Sequence, residues 1–378
     1  MKKCFVFVIF LAVFLGCNSR EKENIKPQEN EVLISDLNVG KIESIASKSN
    51  LEANDGGNAI STLRDIDFYE QRGLGNLYDP ERNSYELRNP HIDELLTLQN
   101  IHSLSIGNDY NVGKPSWSRI DFPFDLSFLK NFSQLRDLSI GENVTIENLD
   151  FFRYLQNLEF LYIPGYKTLD FSPISNLINL RSVEVSGNEI INAEAILELP
   201  NLESAWLWSL SEITINFMDA PLSSKLEVLS LSSPTIDVSN IGMLPNLNSL
   251  RIVSSDIAGF ANWENPRLES LHIIGLQSSL GDRLSSHRVS LKLDEMVNLY
   301  LLNYLFIEVF DIEDVSPLLE LPNLVSVRFN SSYVDIMPLL ESKTIRSITV
   351  DSLVLGEFEI LRDLFAERGI IIEFEDRS

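Results

Sequence analysis

The sequence predicts an α/β solenoid, in which short repeats, each with one β-strand and one helical turn, stack around a shared hydrophobic core. Three observations predict it: an apolar pattern that recurs about every 22 residues, a second apolar block between successive copies, and a high aliphatic content. Hydrophobic residues make up 44% of the 378 residues, which is enough to fill a continuous interior. One repeat cannot bury its own apolar edge, so the copies must stack.

The strand pattern is Leu-x-x-Leu-x-Leu, with Ile or Val at some positions. Ile101–Ile106 is the first clear copy and Leu135–Ile140 is the second. Most steps between leading residues are 21 to 25 residues, which predicts one strand per repeat in a parallel sheet. The predicted leading residues are Ile101, Leu135, Leu158, Leu180, Leu202, Leu226, Leu247, Leu268, Leu299, Leu324 and Ile345.

A second apolar block follows the strand within each repeat. Leu169–Leu180, Ile236–Leu247 and Val315–Leu324 are three copies of this block. Their apolar residues recur at intervals of three, which predicts a turn of 3₁₀ or short α-helix with one side against the core.

Repeats of this length, with an Asp-x-Ser-Pro-Leu-like return and a Leu-Pro-Asn-Leu lead-in, resemble the short leucine-rich repeats of bacterial internalins and their relatives. The resemblance covers roughly residues 90 to 355 and implies a leucine-rich-repeat solenoid, with a curved parallel sheet on its concave side and 3₁₀ or short helices on its convex side. The turn asparagine of that family is present only at Asn143 and Asn188, while Ser255 and Ser332 stand in its place elsewhere. Hydroxyl groups or water should therefore satisfy the backbone there.

Caps are expected at both ends of the repeats, because an open edge would expose core. Residues 59–100 are the predicted N-terminal cap, before the repeats at 101–355. Within this cap, Leu63–Phe68 is predicted to be a strand, and His91–Asn100 leads into the first clear repeat.

The predicted C-terminal cap is residues 356–378. Apolar residues at helical spacing between Phe358 and Phe365 predict a helix that Gly369 ends. Ile370–Phe374 then reads as a closing strand.

The first residues have the pattern of a bacterial lipoprotein signal. Two lysines form a positive start, Phe5–Leu15 is an apolar run too short to span a bilayer, and Gly16 precedes Cys17. Residues 1–16 are therefore the predicted signal peptide, and Cys17 is the predicted lipidation site, acylated with palmitate or a similar fatty acid. An ordinary signal peptide and an uncleaved anchor are the alternatives.

Residues 17–58 are predicted to be a flexible tether, because they are rich in Asn, Glu, Ser and Lys and offer little apolar surface. Without the leader the formal charge changes from −25 to −27, since two lysines and no acid are lost. Such a charge argues against nucleic acid and against direct contact with anionic lipid, so membrane contact is expected through the lipid anchor only. The expected location is the cell envelope, at the outer membrane or cell surface.

The residues between the core positions of each strand should face the concave surface, because strand side chains alternate. The central residues of the strands should form one column along this surface. The predicted column is Ser105, Ser139, Tyr162, Glu184, Trp206, Ser230, Arg251, His272, Asn303, Arg328 and Thr349.

Two parts of this surface are predicted to bind a partner. Aromatic residues cluster around Glu184, and exposed aromatics with polar surroundings are typical of binding hot spots. Beyond them lies a cationic stretch on an otherwise acidic protein. The alternatives are that Phe160 or Trp208 packs beneath a neighbouring loop and that the basic residues are merely solvated. The predicted partner-binding residues are Phe160, Tyr162, Glu184, Trp206, Trp208, Arg251, His272 and Arg328.

An insertion is predicted at residues 277–298, inside the long step after Leu268. It contains Arg283, His287 and Arg288, and it is the most basic short stretch of the repeats. Insertions in repeat proteins often emerge on the binding face, although a tolerated surface loop is the alternative.

No pattern of catalytic or cofactor-binding residues is present in the sequence. The four His residues lack metal-ligand spacing, and there is no Gly-rich phosphate loop and no Gly-x-Ser-x-Gly motif. We therefore expect a non-enzymatic protein, without cofactor or metal, that binds a protein through its concave face. By resemblance to internalin-type proteins, the implied partner belongs to a host or neighbouring cell. A glycan-binding surface lipoprotein and a periplasmic scaffold are the rival interpretations.

Overall fold

The computed structural model describes most of the chain between residues 77 and 375. All described residues fall within one compact unit. The predicted signal peptide, Cys17, the tether and the predicted strand Leu63–Phe68 lie outside the described residues. The described residues are 77–79, 81, 84–87, 92–98, 100–107, 126–141, 144, 146–165, 168–213, 225–238, 241, 244–259, 267–276, 290–308, 311–330, 334–351 and 358–375.

The described residues form a main sheet of fourteen strands, in which every neighbouring pair is parallel except β1 and β2. Three further parallel pairs, β6 with β8, β11 with β13 and β15 with β17, lie outside it. The strands are β1 (Leu77–Asp79), β2 (Ser84–Leu87), β3 (Ser103–Ile106), β4 (Asp137–Ile140), β5 (Phe160–Ile163), β6 (Thr168–Asp170), β7 (Ser182–Gly187), β8 (Glu189–Ile191), β9 (Ser204–Ser209), β10 (Val228–Ser232), β11 (Thr235–Asp237), β12 (Ser249–Ser254), β13 (Asp256–Ala258), β14 (Ser270–Gly275), β15 (Ser290–Leu291), β16 (Tyr304–Glu308), β17 (Asp311–Ile312), β18 (Ser326–Asn330), β19 (Ser347–Asp351) and β20 (Ile371–Glu375).

Helical segments connect the strands of the main sheet. The 3₁₀ helices Ser172–Asn176 and Ser316–Glu320 lie inside two of the predicted return blocks, and each buries an aliphatic residue, Ile174 and Leu318. The predicted 3₁₀ returns are therefore confirmed at these places. None of the described helices is long and apolar enough to cross a membrane. The helices are α1 (Asp93–Thr97), α2 (Glu194–Leu197) and α3 (Phe358–Glu367), with further 3₁₀ helices at Leu126–Asn131, Asp150–Tyr154, Leu293–Met296 and Met337–Glu341.

The core runs beneath the main sheet from repeat to repeat. In β7 and β9 alternate side chains are buried, as the period of two along a strand requires. Burying one such aliphatic side chain stabilises the fold by about 1.5–3 kcal/mol. This architecture confirms the predicted fold class, an α/β leucine-rich-repeat solenoid. The observed leading residues are all buried: Ile101, Leu135, Leu158, Leu180, Leu202, Leu226, Leu247, Leu268, Leu302, Leu324 and Ile345.

One predicted repeat frame is wrong by three residues. Tyr304 of β16 pairs with Ser326 of β18, so the leading residue is Leu302 and not Leu299. The amide of Leu302 donates a hydrogen bond to the Leu299 carbonyl, as the Leu180 amide does to the Leu177 carbonyl. Leu299 therefore ends the preceding return. The last part of the predicted insertion, residues 290–298, belongs to that ordinary return, while residues 277–289 lie outside the described residues.

Acidic or amide side chains start several of the 3₁₀ helices. The carboxylate of Asp170 accepts hydrogen bonds from the amide and hydroxyl of Ser172, and Asp314 accepts one from the Ser316 amide at 2.8 Å. Hydrogen bonds from Ser172 hold the pKa of Asp170 below its usual value, and those from Ser316 do the same for Asp314. The aspartate of the Asp-x-Ser-Pro return thus forms an Asx turn just before the N-cap of the 3₁₀ helix.

An asparagine ladder joins successive repeats just before their leading residues. The Asn179 amide group donates to the Gln156 carbonyl at 2.9 Å, and Asn201 donates to the Ile178 carbonyl at 2.7 Å. Asn157 and Asn323 make the same bond one repeat back. The asparagine of the Leu-Pro-Asn-Leu lead-in therefore satisfies backbone that would otherwise be unpaired between coils.

Serine hydroxyls satisfy the backbone at the other end of the strands. Ser233 is buried, accepts a hydrogen bond from the Ile213 amide at 2.9 Å, and lies 3.0 Å from the Ser211 carbonyl oxygen. Ser254 lies equally close to the Pro234 carbonyl oxygen. The expected use of hydroxyls is found, but one residue earlier than predicted: Ser255 is exposed.

Regular elements lie at both ends of the main sheet. β2 pairs in parallel with β3, and β1 pairs with β2 in the antiparallel sense, so a short hairpin forms the first edge. At the other edge α3 buries Phe365, Gly369 follows with φ +74°, and β20 pairs with β19. That positive φ favours glycine, which explains why the helix ends there.

Candidate partner-binding surface

Main-sheet side chains that point away from the core share one face, which we call the strand face. Neighbouring strands lie about 4.8 Å apart, so residues in register form a continuous row. The predicted column is observed except at Asn303, where the register places Phe306 instead, because the repeat frame there was wrong. The observed column is Ser105, Ser139, Tyr162, Glu184, Trp206, Ser230, Arg251, His272, Phe306, Arg328, Thr349 and Glu373.

The aromatic cluster comprises Phe160 and Tyr162 of β5 and Trp206 and Trp208 of β9, with Glu184 of β7 between them. Phe160 is 47% exposed, so it does not pack beneath a loop. The other three aromatic side chains are partly exposed, although the indole nitrogen of Trp208 is buried. The structure therefore brings these predicted residues together on one face, and their role in binding stays a prediction.

Small residues flank one ring of the aromatic cluster on both sides. In the strand register Ser186 and Ser232 lie on either side of Trp208, and Trp206 lies between Glu184 and Ser230. A serine beside an indole leaves room for an apolar group of a partner to pack against the ring. Large rigid rings of this kind dominate many protein interfaces.

Ser230 is the polar residue that the column buries most deeply. It is only 1% exposed, and its hydroxyl has no hydrogen-bond partner. Its larger neighbours Trp206 and Arg251 lie on either side of it in the register. Leaving such a group unpaired costs about 1–3 kcal/mol of folding free energy. The hydroxyl of Ser230 is therefore a destabilising feature between the two halves of the face.

The second half of the strand face holds what we call the arginine–aromatic cluster: Arg251, His272, Tyr304, Phe306 and Arg328. The His272 ring lies 5.2 Å from the Tyr304 ring and 5.6 Å from the Phe306 ring, with the latter pair edge to face. The guanidinium carbon of Arg328 lies 5.0 Å from the centre of the Phe306 ring, a cation–π contact. Sequence reasoning missed Tyr304 and Phe306 because of the frame error before β16.

The predicted cationic stretch needs correction. Burial, together with the charges of Arg251 and Arg328, lowers the pKa of His272 to about 4, so this imidazole is neutral at pH 7. Phe306 also separates His272 from Arg328 in the register. Burial lowers the pKa of Arg251 as well, while Glu308 opposes that shift. Two arginines and one glutamate therefore carry the charge here.

The pKa of His272 predicts a defined loss of stability in acid. Between the ordinary His pKa of about 6.5 and the folded value of about 4, the unfolded chain binds a proton that the folded chain does not. The free energy of unfolding should therefore fall as pH falls through this window, by about 3 kcal/mol at most. Denaturant titrations of the wild type and His272→Phe between pH 7 and pH 4 measure the difference. Equal pH dependence in the two proteins would contradict the assignment.

A polar groove lies along one rim of the sheet. It encloses about 360 Å³ and is lined by residues of four successive repeats, including Arg136, Glu159 and Arg181. Glu159 lies 3.6 Å from Arg136 and 3.8 Å from Arg181, and Arg181 lies 3.6 Å from Glu203. These charges satisfy one another, and exposed pairs of this kind contribute about 0–1 kcal/mol each. Sequence reasoning missed this row of ion pairs, although each of its charged residues directly follows the leading Leu of a repeat.

Metal-ligating side chains do not gather in the part of the chain that the structure describes. No group of three or more His, Cys, Asp or Glu residues there is arranged to hold an ion. The exposed chemistry of the strand face is therefore that of rings, two guanidinium groups, hydroxyls and a few carboxylates.

The chain is similar, at low sequence identity, to solved internalin and leucine-rich-repeat structures. No protein-family model and no curated protein sequence matches the chain. Among solved structures, an internalin (InlF) of Listeria monocytogenes is 19% identical, over 65% of this chain and 77% of that one, with a TM-score of 0.42. Internalin C2 of Listeria monocytogenes is 18% identical, over 71% and 80%, with a TM-score of 0.21.

A leucine-rich-repeat protein of Leptospira interrogans is also similar. It is 15% identical, over 76% of this chain and 88% of that one, with a TM-score of 0.38. Such likenesses concern the fold alone, and the strand register of the chain itself carries the assignment. The described residues of this chain adopt a leucine-rich-repeat solenoid fold.

Proposed function

We propose that the chain is a non-enzymatic lipoprotein of the cell envelope that binds a protein partner through the strand face of its repeats. The aromatic cluster carries this proposal. Four rings occupy alternate positions of β5 and β9 on one continuous face, and Phe160 is nearly half exposed. Exposed rings with polar surroundings on a rigid sheet are typical of binding hot spots.

The anchoring part of the proposal rests on the first residues of the sequence. In this proposal residues 1–16 are the signal peptide, Cys17 carries the lipid, and 17–58 is the tether. About 40 residues of flexible chain have a root-mean-square reach of roughly 35 Å, which would hold the domain clear of the lipid. Residues 59–100, 101–355 and 356–378 are then the N-terminal cap, the repeats and the C-terminal cap. An outer-membrane or surface location would present the strand face to a protein of a host or neighbouring cell.

Metabolic labelling tests the anchor. Cells grown with a labelled palmitate analogue should incorporate label into the wild-type chain and not into Cys17→Ala, because that thiol is the proposed acylation site. Cys4→Ala is the matched control, since Cys4 would leave with the leader, and it should keep the label. Label retained in Cys17→Ala would rule out acylation at this cysteine.

Binding through the strand face is tested with two substitutions of equal exposure. Phe160 on the strand face is 47% exposed, and Tyr154 at the end of a 3₁₀ helix is 46% exposed. Affinity capture on whole cells and envelope extracts should recover a protein with the wild type and with Tyr154→Ala, and recovery with Phe160→Ala should fall at least tenfold. Equal capture by both variants would place binding elsewhere, and binding to glycan arrays without protein capture would favour a glycan ligand.

A further inference from the structure

Four neighbouring strands of the strand face carry a local excess of positive charge. On β12, β14, β16 and β18 the charged side chains of this face are Arg251, Glu308 and Arg328, since His272 is neutral at pH 7. These four strands thus carry one more positive than negative charge, on a chain whose formal charge is −25, while Glu373 of β20 brings a carboxylate to the face two strands beyond Arg328. A locally cationic stretch on so acidic a protein favours an anionic group as its ligand.

A ring of the arginine–aromatic cluster orients the guanidinium group of Arg328. Arg328 stacks over Phe306 at 5.0 Å, and Phe306 in turn meets His272 edge to face. Stacking uses the flat side of a guanidinium, whereas carboxylates are bound along its edge. The stack and a bound carboxylate are therefore compatible, and the stack reduces the conformational freedom that binding would remove.

The environment of Arg251 also favours the binding of a carboxylate. Arg251 is partly buried, and a desolvated guanidinium gains most from a carboxylate partner. Glu308 partly compensates Arg251, so one monoanionic group per site suits this half better than a dianionic phosphate.

We propose that the arginine–aromatic cluster binds the carboxylates of an acidic segment of a protein partner, while an adjoining apolar segment of that partner packs on the aromatic cluster. This rests on the proposed function and adds the chemistry of the partner to it. Trp206 and Arg251 are two strand spacings apart, about 10 Å. In an extended peptide, side chains two or four positions apart share a face and lie about 7 or 13 Å apart, so an apolar and an acidic residue at either spacing would reach both.

Selection from a random-peptide display library tests the proposal on the purified mature chain. Peptides enriched by the wild type should carry Asp or Glu two or four residues from an aromatic or large aliphatic residue. Synthetic copies of these peptides should bind Arg251→Gln and Arg328→Gln at least tenfold more weakly, since each loses a charge-assisted hydrogen bond. Arg328→Lys keeps the charge without the planar fork, and it should lie between the wild type and Arg328→Gln.

Two further variants distinguish an effect on peptide binding from an effect on the stability of the fold. Glu308→Gln removes the competing carboxylate and should strengthen binding of the acidic peptides about threefold, which a structural role would not produce. Arg153→Gln is the control, because Arg153 also contacts a ring, at 5.9 Å from the centre of Tyr154, but lies on a 3₁₀ helix. It should leave peptide binding unchanged.

The outcomes distinguish this inference from the proposed function. Peptides that depend on Trp206 and Trp208 but show no preference for Asp or Glu would overturn the inference and leave the proposed function standing. Peptides that bind every strand-face variant as tightly as the wild type, or a failure to enrich any peptide, would count against both.

Discussion

Replacing Phe329 by alanine should lower the free energy of unfolding by about 3–5 kcal/mol, the largest loss of stability that we expect from one substitution. Phe329 lies on β18 with no exposed surface, and in register it lies between Ile307 and Val350. Because each coil packs only on its neighbours, the resulting cavity would weaken both interfaces of this repeat. Urea titration followed by circular dichroism measures the change.

The control for this prediction is Phe306→Ala, on the preceding strand β16. Its ring lies on the strand face and is partly exposed, so its removal leaves no closed cavity and should cost about 1 kcal/mol. Phe329 and Phe306 are the same residue type, but Phe329 faces the core and Phe306 lies on the strand face. Equal destabilisation by the two substitutions would contradict the assignment of one face to the core.

Replacing both Trp206 and Trp208 by alanine should weaken partner binding at least thirtyfold, which corresponds to about 2 kcal/mol or more. The two indoles lie two residues apart on β9 and are two of the four rings of the aromatic cluster. Both are partly exposed, so the melting temperature should fall much less than it does for Phe329→Ala. Calorimetric binding titrations and thermal melts on the same preparations measure the two effects.

A matched pair of aromatic residues away from the strand face serves as the control. Tyr154 and Tyr300 are 46% and 57% exposed, and the double substitution Tyr154→Ala with Tyr300→Ala should keep full affinity. A loss of stability in the Trp206 and Trp208 variant as large as that of Phe329→Ala would show that the indoles belong to the core.

The periodic apolar pattern was sufficient to predict the fold class. Positions such as Leu138 and Ile140 recur about every 22 residues, and burial of alternate residues on a strand follows from geometry alone. The frame error before β16 has an equally simple cause. Leu299, Leu302 and Leu305 fit the Leu-x-x-Leu pattern in two overlapping frames, and the neighbouring strands decide between them.

The sequence predicts which side chains lie on the strand face, because this depends on their position along a strand. It does not predict the contacts that these side chains make with one another. Phe160 and Trp206 face the same side by alternation, so the sequence predicts the aromatic cluster. The neutral state of His272 and the stacking of Arg328 on Phe306 depend on burial and ring geometry, which no local pattern encodes. Likewise, the role of Ser233 depends on which carbonyl the turn brings near its hydroxyl.

Hydroxyl-radical footprinting of the chain with and without its captured partner tests most directly whether the strand face is the binding surface. We predict that Phe160, Tyr162 and Trp206 become protected from oxidation in the complex, while Tyr154 and Tyr300 react as before. Protection of Tyr154 and Tyr300, with unchanged oxidation of the strand-face rings, would contradict the account.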